Sequence, residues 1–251
     1  MQNLPEKWRR EDAALESERR AMSAALAALE KTRARIDTGR APTRLIFELD
    51  LTASREVGLE QARVATAAMF ETIRQIGRIA VKLAYYRGEK ECKASAWHDN
   101  PAVLCSSMLK LSCRSGGTQI ARLLSLALNE GESLAGVVFV GDHCEEKEEE
   151  LISLARAYAK RRLPLYIFHE CRDNDGPCRR AKGIFKAMAE ASGGAYVEFR
   201  ADSGDVLREL LSSIAAYSVG GADAVARIAT PATAPARELR ERLLLASGDL
   251  S

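Results

Sequence analysis

A chain of 251 residues, 47% hydrophobic and 29% charged, is long enough to bury a full core and too apolar to be disordered. Its 37 basic and 35 acidic side chains leave a formal charge of +2, which gives no electrostatic case for nucleic acid or a membrane surface. The first residues, including Glu6, Lys7, Arg9 and Arg10, form no apolar signal region, and no uncharged apolar run spans a bilayer, so the cytoplasm is the expected setting.

The chain opens with a segment rich in Ala, Glu, Arg and Leu that predicts one long helix from Pro5 to Thr38, free of internal Gly and Pro. Trp8, Leu15, Met22, Leu29 and Ile36 recur every seven residues. The second apolar seam of a coiled coil is mostly missing, because Asp12, Arg19 and Arg33 occupy it beside Leu26. This N-terminal helical extension covers 1–40, ends at Gly39, and presents a narrow apolar stripe to the body or to a partner.

Short apolar strands then alternate with helices. The strand segments are Leu45–Leu49, Ile79–Tyr86, Cys92–Trp97, Val137–Val140, Leu165–Phe168 and Ala195–Phe199. Helical patterns occupy Gly58–Ile76, Val103–Ser112, Thr118–Leu128, Glu145–Arg161, Cys178–Ala191 and Gly204–Tyr217. The alternation predicts an α/β domain over 43–217, a doubly wound and mainly parallel sheet with helices on both faces. The tight polar turn at Arg87-Gly88-Glu89-Lys90 predicts one antiparallel edge strand. After Tyr217, small residues and Thr230-Pro231-Ala232-Thr233-Ala234-Pro235 read as a linker, and Arg237–Ala246 as a short helix that docks through Leu239, Leu243 and Leu244. The segment 218–251 is therefore expected to be linker plus terminal helix.

The six cysteines, at 92, 105, 113, 144, 171 and 178, include no CxxC pair and are expected to be reduced. His169, Glu170, Cys171 and Cys178 offer a partial zinc set, but structural zinc shows tighter paired spacing, and packed or loop side chains are the simpler reading.

The most informative local pattern is Asp50-Leu51-Thr52-Ala53-Ser54, directly behind the apolar run Leu45-Ile46-Phe47-Glu48-Leu49. One carboxylate and two hydroxyls at alternate positions, on a turn at a strand's C-terminal end, are hard oxygen donors suited to Mg²⁺ or Mn²⁺. Open parallel sheets collect ligands at such strand ends. Two other loops reach the same rim: Ser115-Gly116-Gly117-Thr118-Gln119, which opens a helix, and Gly141-Asp142 after the fourth strand. Asp50, Thr52, Ser54, Thr118 and Asp142 thus form a set of two carboxylates and three hydroxyls.

This set resembles the metal-ion-dependent adhesion site (MIDAS) of von Willebrand factor A (VWA) domains, which combines D-x-S-x-S, a distant Thr and a later Asp. Thr52 replaces the middle Ser and keeps its hydroxyl, Thr118 follows Asp50 by 68 residues, and Asp142 follows Thr118 by 24. The match covers roughly 43–217 and implies a VWA/Rossmann-like fold with a Mg²⁺ or Mn²⁺ ion at those five residues. By the same resemblance the chain is a protein-interaction module rather than an enzyme, its open metal position taken by an acidic side chain of a partner protein. The run Glu145-Glu146-Lys147-Glu148-Glu149-Glu150 makes the rim more negative and is read as the first turn of a helix, favoured by the helix dipole. Arg55 and Arg114 would offset it if they face the rim.

Two rivals use the same residues differently. A haloacid-dehalogenase-like phosphatase would make Asp50 the nucleophile, Thr118 the phosphate hydroxyl and Asp142 the metal ligand. It lacks a Lys between Thr118 and Asp142, where Arg122 is the one cation, and has Thr52 in place of a second acid. A scaffold acting through its N-terminal helix would leave the metal site vestigial. A hydrolase triad has no G-x-S-x-G frame for His98, His143 or His169.

Overall fold

In the computed structural model the described residues are 42–73, 77–130, 134–171, 176–200 and 204–245, which form a single compact unit; the expected helix over Pro5–Thr38 lies outside them. Six strands form one sheet: β1 (Thr43–Asp50), β2 (Ile79–Arg87), β3 (Glu91–His98), β4 (Gly136–Gly141), β5 (Leu165–Glu170) and β6 (Tyr196–Phe199). Their order is β3-β2-β1-β4-β5-β6, parallel throughout except for β3, which pairs antiparallel with β2 at one edge. The mainly parallel sheet and its antiparallel edge agree with the sequence pattern. The chain leaves β1 in one direction and returns to β4 on its other side, so the strand order reverses between β1 and β4 and opens a crevice at their C-terminal ends.

Both faces of the sheet are covered, which explains the continuous apolar character of β1, β4 and β5. Leu45, Phe47, Leu49, Val138, Val140 and Phe168 pack against α1 (Glu56–Ile73), α2 (Pro101–Leu109), α6 (Gly204–Arg227) and α7 (Ala234–Leu245). Ile46, Val137, Phe139, Leu165 and Ile167 face α3 (Ile120–Leu128), α4 (Glu148–Lys160) and α5 (Gly176–Ser192). Each such Leu, Ile or Phe at 0–2% exposure contributes roughly 2 kcal/mol of burial. The alternation of β1 also puts Glu48, fully buried, on the Ile46 face with neither carboxyl oxygen hydrogen-bonded.

Local signals set the helix ends. Asn100 caps α2 by accepting from Ala102 N–H at 2.9 Å. The α5 C-terminus closes as a Schellman motif. Gly193 is left-handed (φ +74°), its N–H reaches Glu190 C=O at 3.1 Å, and Gly194 N–H reaches Ala189 C=O at 2.9 Å.

Three expectations are corrected. The segment after Tyr217 is not a linker from its start: α6 runs to Arg227 through a kink at Gly220 and Gly221 (φ +62°), with Ala224 and Val225 fully buried beyond it. Burial of that second stretch outweighs the poor helix propensity of paired glycines. The terminal helix docks as expected through Leu239 and Leu243, starting at Ala234. The cysteines are not all reduced: Cys171, just past β5, and Cys178, in the first turn of α5, form a disulfide with Cα atoms 6.2 Å apart. The helix returns directly to the strand end, which brings two thiols seven residues apart into bonding geometry. Helix α4 begins at Glu148 rather than Glu145, because Glu145 and Glu146 serve another helix, as described below.

Candidate functional site

The site residues lie on three loops at the crevice between β1 and β4. Asp50 ends β1. Its Oδ1 accepts from Thr52 N–H at 2.8 Å and from the Thr52 hydroxyl at 2.7 Å, and Thr52 Oγ1 lies 3.2 Å from Ser54 Oγ. The turn thus gathers one carboxylate and two hydroxyls through its own hydrogen bonds. Asp142 follows β4, whose pairing with β1 ends at Leu49 opposite Val140. Gly141 permits this approach: a Cβ there would lie 3.4 Å from Asp50 Cβ and 2.6 Å from the Phe139 ring.

Burial, followed by the nearby Asp142 carboxylate, pushes the Asp50 carboxyl up to about 6, against opposing hydrogen bonds from Thr52. Asp50 Oδ2 and Asp142 Oδ1 are both buried and have no hydrogen-bond partner. His143 Nδ1 lies 3.2 Å from the other Asp142 oxygen. Two orphaned carboxylate oxygens on neighbouring strand ends, with two hydroxyls alongside, fit a hard divalent cation. Among the described residues no three His, Cys, Asp or Glu side chains gather to hold a metal, so a cation here relies on hydroxyl oxygens as well.

Thr118 is placed differently from the other four. Its hydroxyl accepts from Glu145 N–H at 3.0 Å, and its own N–H donates to Glu145 Oε2 at 3.2 Å. Glu146 caps the start of α3, accepting from Ile120 N–H at 2.6 Å and Ala121 N–H at 2.9 Å. The acidic run therefore divides. Glu145 and Glu146 reach across to the Thr118 loop and satisfy the donors opening α3, while Glu148, Glu149 and Glu150 form the first turn of α4. This clamp joins the second and third site loops and holds Thr118 beside the loop that carries Asp142.

Beneath the rim, Arg55 is fully buried and paired with Glu170 at the end of β5. Its charge acts on both Asp50 and Asp142, and Gly58 leaves the space that the pair occupies. Arg114 is largely exposed and lies 3.5 Å from Glu91, so Arg55 is the cation that faces the site. Tyr86 is also buried, and burial followed by Asp50 pushes its hydroxyl well above the usual range.

His169 secures the Asp142 loop. Its Nε2 is 3.0 Å from the Asp142 carbonyl and its Nδ1 is 2.8 Å from the Tyr196 hydroxyl. The zinc set fails on these contacts, since both ring nitrogens are engaged and the two cysteines are bonded to each other. A carbonyl only accepts, so Nε2 carries the proton, and burial lowers the ring's proton affinity, which leaves Nδ1 as an acceptor facing the Tyr196 hydroxyl. That hydroxyl also has Glu198 Oε2 at 3.2 Å, so its one proton serves two competing acceptors. Two-bond ¹H–¹⁵N spectra at pH 7 should show the neutral Nε2–H tautomer, and an imidazolium pattern would contradict this arrangement.

The architecture matches known structures although the sequence does not match known families. No protein-family profile and no curated protein sequence matches the chain. A von Willebrand factor type A protein from Catenulispora acidiphila superposes with a TM-score of 0.58 at 14% identity, covering 72% of this chain and 43% of that one. The chain has the VWA fold. The SpRpn10 VWA domain matches with a TM-score of 0.52 at 16% identity over 70% of this chain and 95% of its own. The pilus adhesin SpaC from Lactobacillus rhamnosus GG gives 0.58 at 10% identity over 72% and 30%. The chain therefore spans under half the length of the first and third of these proteins. No described helix is long and apolar enough to cross a membrane.

Proposed function

We propose that this protein is a VWA-type protein-interaction module that holds a divalent cation, Mg²⁺ or Mn²⁺, at Asp50, Thr52, Ser54, Thr118 and Asp142. The observation that carries the reading is the pair of buried carboxylate oxygens, Asp50 Oδ2 and Asp142 Oδ1, left without partners on adjoining strand ends. A cation there would offset the repulsion between the two carboxylates and complete its shell with water or an acidic side chain of a partner. The chemistry is binding rather than catalysis. The likeness to an adhesin and to the SpRpn10 VWA domain supports an interaction role in general, without identifying the partner.

Calorimetry with MgCl₂ and MnCl₂ tests the site. Asp142→Ala should weaken binding by at least about tenfold, the equivalent of ~1.4 kcal/mol, while far-UV circular dichroism stays unchanged because the residue sits on the rim. Equal affinities for wild type and variant would refute the assignment. Partner capture with and without chelator then distinguishes cation-dependent docking from docking through another surface.

A further inference from the structure

The sheet's two edges are finished differently. At the β3 edge the strand carries charged Glu91 and Lys93 and departs from regular register between Lys82 and Ala84 of β2, both devices that discourage further pairing. The β6 edge has no such irregularity, and its one charged residue, Glu198, is neutralised by Lys182 at 2.6 Å. Ile167 N–H bonds Ala195 C=O at 2.8 Å and Cys171 N–H bonds Phe199 C=O at 2.9 Å, with Ile167 opposite Tyr196. In a parallel ladder this turns the peptide groups of Val197 and Phe199 toward β5. Those of Tyr196 and Glu198 face away from the sheet.

They face into a groove of about 660 Å³ with β6 as its floor, α5 as one wall and α7 as the other. The walls combine small apolar surface, Ala189 and Pro235 among it, with charged side chains. Most of these charges are paired: Lys182 with Glu198 at 2.6 Å and Arg242 with Glu238 at 2.6 Å. Lys186 is the exception on the cationic side. Its Nζ lies 5.5 Å from the centre of the Tyr196 ring, and among the described residues no carboxylate is within ion-pair distance.

We propose that this groove receives an extended segment of a partner protein, which adds to β6 as a seventh strand and sets a carboxylate on Lys186. The outward N–H and C=O groups of Tyr196 and Glu198 require an occupant with the alternating donors and acceptors of an extended backbone. A second copy meets the edge less well, because two-fold pairing of β6 with itself would bring the α5 and α7 walls together, Lys186 and Arg242 included. The surface is spatially distinct from the cation site, from whose β1 strand it is separated by β4 and β5.

The test is an ¹⁵N NMR titration of the full chain with the acetylated, amidated peptide Thr-Val-Asp-Val-Thr, and with its counterpart carrying Lys for Asp. The Tyr196 and Glu198 amides should shift and saturate with a dissociation constant on the order of 1 mM or tighter, and the Lys peptide should bind about tenfold more weakly. Glu198→Pro removes one outward donor and leaves the β5 ladder intact, so it should fold and lose binding. Lys186→Glu, outside the ladder altogether, should reverse the preference between the peptides. The proposal falls if the Tyr196 and Glu198 amides exchange as slowly as those of Val197 and Phe199, or if Lys186→Glu leaves the preference unchanged. Concentration-dependent shifts of the same amides without peptide would make a second copy the occupant and overturn it equally.

Discussion

Glu48→Gln should stabilise the protein by roughly 3 kcal/mol at pH 7 and by very little near pH 4.5. Glu48 lies in β1, two residues before Asp50, with no exposure and no hydrogen bond to either carboxyl oxygen, and burial pushes its proton affinity up from the ordinary 4.5 to about 8. The sign follows from proton counting. Between 4.5 and 8 the unfolded chain releases the proton while the folded chain retains it, so rising pH favours unfolding by about 1.4 kcal/mol per pH unit. Above about 8 both states are ionised and the penalty stops growing. Gln has the same shape as the protonated acid and carries no such penalty. Urea unfolding of both proteins across pH 4.5–8.5 measures the gap. Parallel stability curves would mean that Glu48 is ionised and compensated in the fold.

Gly116→Ala should destabilise the domain by about 3 kcal/mol, whereas Gly117→Ala one residue later should cost under ~1 kcal/mol. A Cβ at Gly116 would overlap the backbone of Gly88, in the β2–β3 turn where Gly88 takes φ +58°. That backbone cannot yield easily, because Gln119 Nε2 donates to the Gly88 carbonyl at 3.0 Å and Gly88 N–H reaches Arg114 C=O at 3.4 Å. A Cβ at Gly117 instead meets the end of the Glu145 side chain at 2.9 Å, and a carboxylate on a flexible stem can move aside. Thermal unfolding of the two variants separates the cases. Both variants disturb the Thr118 clamp, because the Glu145 Oε2 that must move for Gly117→Ala is the atom that accepts from Thr118 N–H, so stability is the readout that separates them. Equal stability of the two variants would show that the loop does not rest on the β2–β3 turn.

The architecture was legible because it depends on local patterns. Runs such as Val137–Val140 and Leu165–Phe168 read as strands buried on both faces, and the polar turn around Gly88 marked the antiparallel edge. The turn at Asp50 could also be read, since a carboxylate and two hydroxyls at alternate positions close their hydrogen bonds within five residues. The clamp from Glu145 and Glu146 to Thr118, Ile120 and Ala121 could not, because its partners lie more than twenty residues apart and meet only when β4 is in place. Local charge statistics assigned both glutamates to the nearest helix, which was the wrong one. The kink at Gly220 and Gly221 was hidden for a related reason, as small residues signal a linker unless tertiary burial of Ala224 and Val225 overrides them. Glu48 did leave a trace: an acid inside a strand covered on both faces has nowhere to find water, yet within Leu45–Leu49 it passed as part of an apolar run.

The Tyr196–His169–Asp142 chain joins two places on the molecule that share no other described hydrogen bond. Tyr196 forms part of the floor beside α5, and through the imidazole its hydroxyl is tied to the carbonyl of a residue at the sheet's crevice. Thermodynamic linkage then fixes a symmetry between them. Whatever factor an occupant of the β6 groove applies to cation affinity at Asp142, the cation must apply the same factor to the occupant's affinity. A single ratio therefore describes the conversation in both directions, and measuring either one determines the other.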